Sequence, residues 1–363
     1  MLKYRRKNKA VAVRIVAIAI FIMVINLLAT AQKYSDDRPE TLLRMDAKDY
    51  GIILKYGDGP DSCDIRGARE ALIFKENSIF HLFYDGAGPK GWRACLATSK
   101  DLIEWEKKGP ILDFGKPGEM DAAAACSPWV YKQGNQWHMF YLGTPNASKE
   151  PDLVPSFPYL TMKAKSSSLS GPWIKQKEVV PFQTKHGTYY SHTASPGHVI
   201  KQGDEYLQFF SSTTEKDGNP CVQRTLGIAR TNDLDRTWRI DPQPVVPIEE
   251  QIENSSLYYE KSNTTWFLFT NHIGIDGGEY TDAIWVYWSK DLNKWDPKNK
   301  AVVLDGHNCT WSKKCIGMPS VIKVGKRLAV FYDAPGGNST SHMKRHVGLA
   351  WLDLPLAIPN TKR

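Results

Sequence analysis

The chain has 363 residues, 42% hydrophobic and 24% charged, which suits a folded globular protein and excludes wholesale disorder, a collagen and a polytopic membrane protein. Its formal charge of +8 would suit a nucleic-acid partner, but six of the 47 basic residues, Lys3, Arg5, Arg6, Lys7, Lys9 and Arg14, fall in the first 31 positions, which hold no acid. The other 41 face 39 acidic residues, so the basic balance belongs to the N-terminal segment and no nucleic-acid partner is expected.

Residues 1–31 read as a signal peptide: a basic start, an apolar run from Ile15 to Leu28 broken only by Asn26, and Ala29-Thr30-Ala31 at the cleavage position. A secreted or periplasmic protein is the consequence. Retention of the run as a signal anchor is the alternative, and the one route to a membrane contact. All six cysteines (Cys63, Cys95, Cys126, Cys221, Cys309 and Cys315) lie beyond this segment. An even number in an oxidising compartment permits disulfides, and Cys309 with Cys315 is the expected pair. No zinc-type Cys/His spacing occurs, so neither metal nor cofactor is expected. Asn-x-Ser/Thr triplets stand at Asn146, Asn254, Asn263, Asn308 and Asn338.

From residue 61 onward the chain repeats. Five apolar segments, FHLFYD (80–85), WHMFYL (137–142), YLQFFS (206–211), WFLFTN (266–271) and LAVFYD (328–333), carry Phe at their fourth place, at 83, 140, 209, 269 and 331. Each follows another apolar run and a polar turn, the pattern of a β-hairpin. A third apolar stretch and a turn ending in Trp105, Trp173, Trp238 or Trp295 follow four of them. Units of about 60 residues with three or four strands, repeated five times, predict an all-β, five-bladed β-propeller over 61–358. A solenoid is the alternative. Residues 32–60 form an N-terminal segment, available to supply a closing strand to the short last unit.

In a propeller, the start of each first strand and the loop after each second strand share one face. The predicted site windows are therefore 61–70, 119–129, 186–198, 249–256 and 307–319 for strand starts. The matching exits are 85–92, 143–158, 212–221, 271–282 and 333–346.

The blade-closing SKDLIEW and SKDLNKW, and the first hairpins SPWVYKQGNQWHMFY and MPSVIKVGKRLAVFYD, resemble the five-bladed propeller glycoside hydrolases that include families 43, 32, 117 and 130. The resemblance spans roughly 60–355. It implies an enzyme that cleaves or phosphorolyses bonds to furanosides or pyranosides, arabinofuranosides among them, at the ends of plant, algal or microbial glycans. Family 43 members use an Asp base, an Asp that tunes the acid, and a Glu acid. Here the base motif Asp-Pro is matched by Arg69-Glu70, and the expected acid position by Ala194. Glu253, two places ahead of Ser255, keeps the acid's spacing but one blade later.

Glycosidic hydrolysis needs two carboxyl groups about the scissile bond. Glu253 is the expected acid, and Asp64 or Asp121, from equivalent loops, the base, the other tuning charge. At the first channel entrance Arg69 is expected to point in, while Glu70, aligned with Pro128 of the second repeat, is expected to point away and stays a candidate; Arg66 lies near them as a salt-bridge partner or a donor to sugar hydroxyls, carboxylates or sulfates. Trp129 is a candidate sugar platform. His192 sits where a Glu would be expected, and Asn271 and His272 follow the fourth repeat Phe, placed to bond hydroxyls. Each has a structural alternative: a strand-capping acid, a blade-core aromatic or a turn pair. The expected partner is a carbohydrate. The expected activity is an exported glycosidase, with a phosphorolytic enzyme or a non-catalytic carbohydrate-binding propeller as rivals.

Overall fold

The structure, a computed structural model, describes residues 38–215, 222–274 and 278–359. The leader read over 1–31 and Cys221 lie outside the described residues. Among the described residues no helix is long and apolar enough to cross a membrane.

Among these residues twenty-two strands make five successive antiparallel meanders. After β1 (Lys48–Leu54), the first meander is β2 (Gly67–Glu76), β3 (Ile79–Gly88), β4 (Gly91–Ser99) and β5 (Glu106–Pro110). The second comprises β6 (Ala124–Gln133) and β7 (Gln136–Thr144), then a small excursion pairing β8 (Asn146–Ala147) with β9 (Pro155–Ser156), then β10 (Leu160–Ser166) and β11 (Ile174–Lys175). The third holds β12 (Thr193–Gln202), β13 (Glu205–Glu215), β14 (Val222–Thr231) and β15 (Arg239–Ile240). The fourth is β16 (Ile252–Glu260), β17 (Thr265–Gly274), β18 (Tyr280–Ser289) and β19 (Lys300–Leu304). The fifth has β20 (Gly317–Val324), β21 (Arg327–Ala334) and β22 (His346–Asp353), and its fourth strand is β1, antiparallel to β22. The five first strands touch in sequence, β2 to β6 to β12 to β16 to β20 and back to β2, so they form a closed ring.

The repeat residues explain the meanders. All five repeat Phe side chains are 0% exposed. At the turn after the third strand a hydroxyl accepts the N–H two residues on, as Ser99 from Asp101 and Thr231 from Asp233, both at 3.1 Å. The Trp that follows folds back to donate to the chain, Trp105 to the Leu102 carbonyl at 2.9 Å and Trp295 to that of Leu292 at 2.8 Å.

Every first strand carries a β-bulge at the same place: 69/72, 126/129, 195/198, 253/256 and 317/320. At four of the five, one bulge residue has a positive φ: Glu70, Ser127, Asn254 and Met318. Such a residue turns its N–H out of the ladder, where it needs another acceptor. The acceptor comes from the preceding meander, from the sixth residue of the repeat. Asp85 Oδ1 takes the Ser127 N–H at 2.6 Å, Ser211 Oγ that of Asn254 at 2.9 Å, Asn271 Oδ1 that of Met318 at 2.5 Å and Asp333 Oδ2 that of Glu70 at 2.7 Å. At the remaining joint the bulge residue is Pro196, which has no N–H, and the sixth residue is the apolar Leu142. The bulges also shift the expected register by one: Ala71, not Glu70, is equivalent to Pro128.

The expected Cys309–Cys315 disulfide is not formed. The five described cysteines are free and buried, and these two face different partners: Cys309 Sγ lies 3.6 Å from Tyr332 Oη, while Cys315 Sγ accepts from Arg345 Nη2 at 2.9 Å. Between them Ser312 bridges to Gly337, and the two thiols are directed to different partners despite their nearness in sequence.

Replacing Asn271 by Leu leaves the Met318 N–H buried without an acceptor. The expected loss is about 1–3 kcal/mol of unfolding free energy, read by urea denaturation.

Candidate active site

The bulges turn the ends of the first strands toward one cavity at the mouth of the ring. Its polar lining includes Arg69, Glu70 and Asp85 from the first meander, Ser127 from the second, and Arg224, Glu253 and Glu279 from the third and fourth. His342 and Arg345, from the segment before β22, also line it, with Tyr159, Tyr280 and Thr281. Arg69 and Glu253 occupy equivalent positions, immediately ahead of their bulges.

Ion pairs order this lining. Arg69 Nη2 donates to Glu70 Oε1 at 2.8 Å and Nη1 bonds His342 Nδ1 at 3.0 Å, while the guanidinium lies over the Trp92 ring at 5.3 Å. Arg224 pairs with both Glu253 and Glu279. Arg345 Nη1 holds Asp333 Oδ1 at 2.5 Å. Ser127 Oγ lies 2.6 Å from Glu70 Oε2 and 2.8 Å from Asp85 Oδ2.

Burial pushes the Glu253 carboxyl above its ordinary range; Arg224 opposes the shift, and Glu279 and Glu70 add to it. Burial, with repulsion from Glu70, raises Asp85 well above its ordinary value against the Ser127 hydrogen bonds. His342 is pushed down to about 3 by burial and by Arg69, Arg345 and Arg224, so it is a neutral imidazole whose Nδ1 accepts from Arg69. Among the described residues no group of three or more His, Cys, Asp or Glu is arranged to hold a metal ion.

A wall of the cavity comes from the β8–β9 excursion, through Val154 and Pro155. It is fastened to the first meander twice: Trp92 Nε1 donates to the Asp152 carbonyl at 3.2 Å, and Arg66 to that of Pro151.

Of the residues expected at the site, Glu253, Arg69 and Glu70 are brought together, and Glu70 points into the cavity. The others are placed elsewhere. Asp64 and Asp121 are equivalent, as expected, but sit in the turns ahead of β2 and β6 and do not line the cavity. Asp64 is fully buried, accepts from Gly57 and Gly59 N–H at 3.1 and 2.9 Å and Tyr84 Oη at 3.4 Å, and pairs with Lys107. Asp121 takes Tyr141 Oη at 2.8 Å and Lys175 Nζ at 2.5 Å. The fourth meander repeats the device with Glu250, Tyr287 and Lys300. These acids fasten strands within their meanders.

Trp129 is core, edge-on to Phe74 at 6.3 Å, because the bulge turns it away from the cavity. Arg66 holds the excursion and does not line the cavity. His192 does not line the cavity; it is stacked on Phe157 at 5.6 Å and lies 3.2 Å from Glu215. Asn271 is spent on the Met318 bulge. His272 is buried against Trp285 at 3.8 Å, with Nδ1 at 3.2 Å from both Arg38 and Asp282.

Asp85, Ser127, Glu279, His342 and Arg345 were not singled out by the sequence reading, although all five lie in its windows. Arg224 falls just past one. The missing signal was the bulge: the register that turns Ser127 and Glu70 into the cavity depends on a backbone flip that no alternation of residue types records.

No family model matches the chain. Solved structures share its fold. BT0996, solved as an RGII complex, aligns at 16% identity over 88% of this protein and 96% of its own length, TM-score 0.67. Zg3597, a family 117 glycoside hydrolase of the marine bacterium Zobellia galactanivorans, aligns at 14% identity over 86% of this protein and 91% of its own length, TM-score 0.61. The catalytic domain of the Coprinopsis cinerea family 62 α-L-arabinofuranosidase aligns at 13% identity over 85% and 98%, TM-score 0.60. A 1,2-beta-oligomannan phosphorylase of Thermoanaerobacter sp. (strain X514) is 43% identical over 53 residues, 14% of this protein; the match spans 18% of the phosphorylase's length. The chain thus shares the fold of these solved glycoside hydrolases.

Because Asp64 is fully buried and faces away from the cavity, Asp64→Ala is expected to cost about 1–3 kcal/mol of stability for each buried donor left without its acceptor, the Gly59 N–H foremost, while Lys107 keeps Asp58; chemical denaturation measures the loss. The refolded fraction should keep the parental ligand affinity, which isothermal titration checks.

Proposed function

We propose that the protein is a glycosidase that cleaves terminal sugars from a plant, algal or microbial glycan, built as a five-bladed propeller with one meander per blade. The observation that carries this reading is the pairing, in one cavity, of two glutamates with unlike surroundings. Glu253 is pushed toward its protonated form by burial, and Glu70 is engaged by the donors Arg69 and Ser127. Acid and base roles divide in this way when two carboxyl groups have different environments. Glu253 would give its proton to the leaving glycosidic oxygen. Glu70 would take a proton from the attacking water or itself attack the anomeric carbon, in place of the Asp64 or Asp121 base. Arg69 and Arg224 fix the two carboxylates. The solved structures of the same fold, which include an arabinofuranosidase, favour furanosides as the first substrates to try.

The 53-residue match and the grouping of Arg69, Arg224 and neutral His342 favour a second reading, phosphorolysis, in which these donors hold phosphate as the attacking group. Turnover that requires inorganic phosphate would select it over hydrolysis. The leader reading is proposed alongside: cleavage after Ala31 gives a mature chain beginning near Gln32 outside the cytoplasm. N-terminal sequencing that finds intact Met1 on membrane-bound protein would replace cleavage by an anchor.

Glu253→Gln is expected to keep the fold and lose about 10²–10⁴-fold in kcat/KM on a glycan with a poor leaving group, with a much smaller loss on activated aryl glycosides. A parental rate on the glycan would remove Glu253 from the acid role. The acid works while protonated and is lost as pH rises through its elevated pKa. The upper limb of the kcat/KM profile should therefore lie above the ordinary carboxylate range and vanish in the Gln variant.

A further inference from the structure

Ser127 Oγ stands between two carboxyl groups, 2.6 Å from Glu70 Oε2 and 2.8 Å from Asp85 Oδ2. A hydroxyl has one hydrogen to give. If both acids were ionised, one short contact would set oxygen lone pairs against each other, in a place where Asp85 is 1% exposed and water offers no relief. A proton on Asp85 removes the conflict. Oδ1 already accepts the Ser127 N–H at 2.6 Å and so serves as the carbonyl oxygen, leaving Oδ2 as the hydroxyl. Oδ2–H then donates to Ser127 Oγ, and the Ser127 hydrogen is free for Glu70 Oε2.

We propose that Asp85 is a neutral carboxylic acid at physiological pH and that, through Ser127, it is a positioning residue that aims a hydroxyl donor at Glu70. The charged and titratable groups facing it are Glu70, Arg69 and the Cys126 thiol; the first repels the ionised form, while Arg69 is already engaged by Glu70 and His342. Burial raises Asp85 in the same direction. The ring joint makes the arrangement durable, since the oxygen that caps the bulge N–H is the one not needed by the hydroxyl. The sixth repeat residue is also Asp at 333, but there Arg345 holds the side chain at 2.5 Å as a carboxylate partner, so the neutral acid is peculiar to Asp85.

The use of this device in catalysis rests on the glycosidase reading, but its test needs no turnover, so the two fail separately. An Asp with a raised folded-state pKa binds more protons when folded than when unfolded. The parent should therefore lose stability relative to Asp85→Asn as pH rises above the ordinary carboxylate range, with the ratio of unfolding constants changing by up to about tenfold per pH unit. A ratio that stays flat between about pH 5 and pH 8 would mean that Asp85 is ionised, and would overturn the proposal. Infrared spectra supply the location of the proton. A protonated-carboxyl carbonyl band should disappear in Asp85→Asn, persist in Glu70→Gln, and move to higher frequency in Ser127→Ala, where the acid has lost its acceptor. Loss of the band in Glu70→Gln with retention in Asp85→Asn would place the proton on Glu70 and overturn it equally.

Discussion

The joint between neighbouring meanders depends on one hydrogen bond: the N–H that a bulged first strand turns out of its own ladder is taken by a side chain in the second strand of the meander before it, at the sixth place of the repeat. Four joints of the ring use it, from Asp85, Ser211, Asn271 and Asp333. The fifth dispenses with it by pairing a proline with a leucine. A buried, unpaired backbone donor is costly enough that the two halves of each joint have to match. The same flip sends the residues beside it into the cavity, so the assembly of the ring and the presentation of Glu70, Ser127 and Glu253 have one structural cause.

Within the cavity, charge is balanced by direct contact. Arg224 bridges Glu253 and Glu279, Arg69 spans Glu70 and His342, and Arg345 answers Asp333. The guanidinium forks suit such bridging because each presents several donors in a fixed plane. A ligand entering here meets carboxylates whose positions are set before it arrives, and it has to compete for arginines that are already engaged. A neutral, hydroxyl-rich guest can bond to these groups as they stand, whereas an anion such as phosphate would have to take an arginine from its glutamate.

The sequence made the large features legible through the fourth-place Phe and the terminal Trp, because buried strands and their turns constrain residue type directly. The windows for the site followed from that register, and they held Asp85, Ser127, Glu279, His342 and Arg345. The choice of side chains within the windows was less legible. Asp64 and Asp121 look like a catalytic pair in sequence because they are equivalent and acidic; only the path of the turns ahead of β2 and β6 decides that they face Tyr84 and Tyr141 and a lysine rather than the cavity. Trp129 and Glu70 show the same limit from the other side. A bulge adds one residue to a strand, and alternation counted straight through it assigns the wrong face from that point on.

The pairing of β1 with β22 joins segments separated by nearly the whole chain, Lys48 lying opposite Trp351. Such a contact forms late, since the chain between must be ordered before the ends can meet, and loop closure over that distance carries an entropic cost. Until it forms, β22 is an open edge with unpaired backbone groups, the surface most prone to take a strand from another molecule. β1 therefore guards the folding protein against misassembly: a chain trimmed past Leu54 would keep its cavity residues and expose a sheet edge to its neighbours.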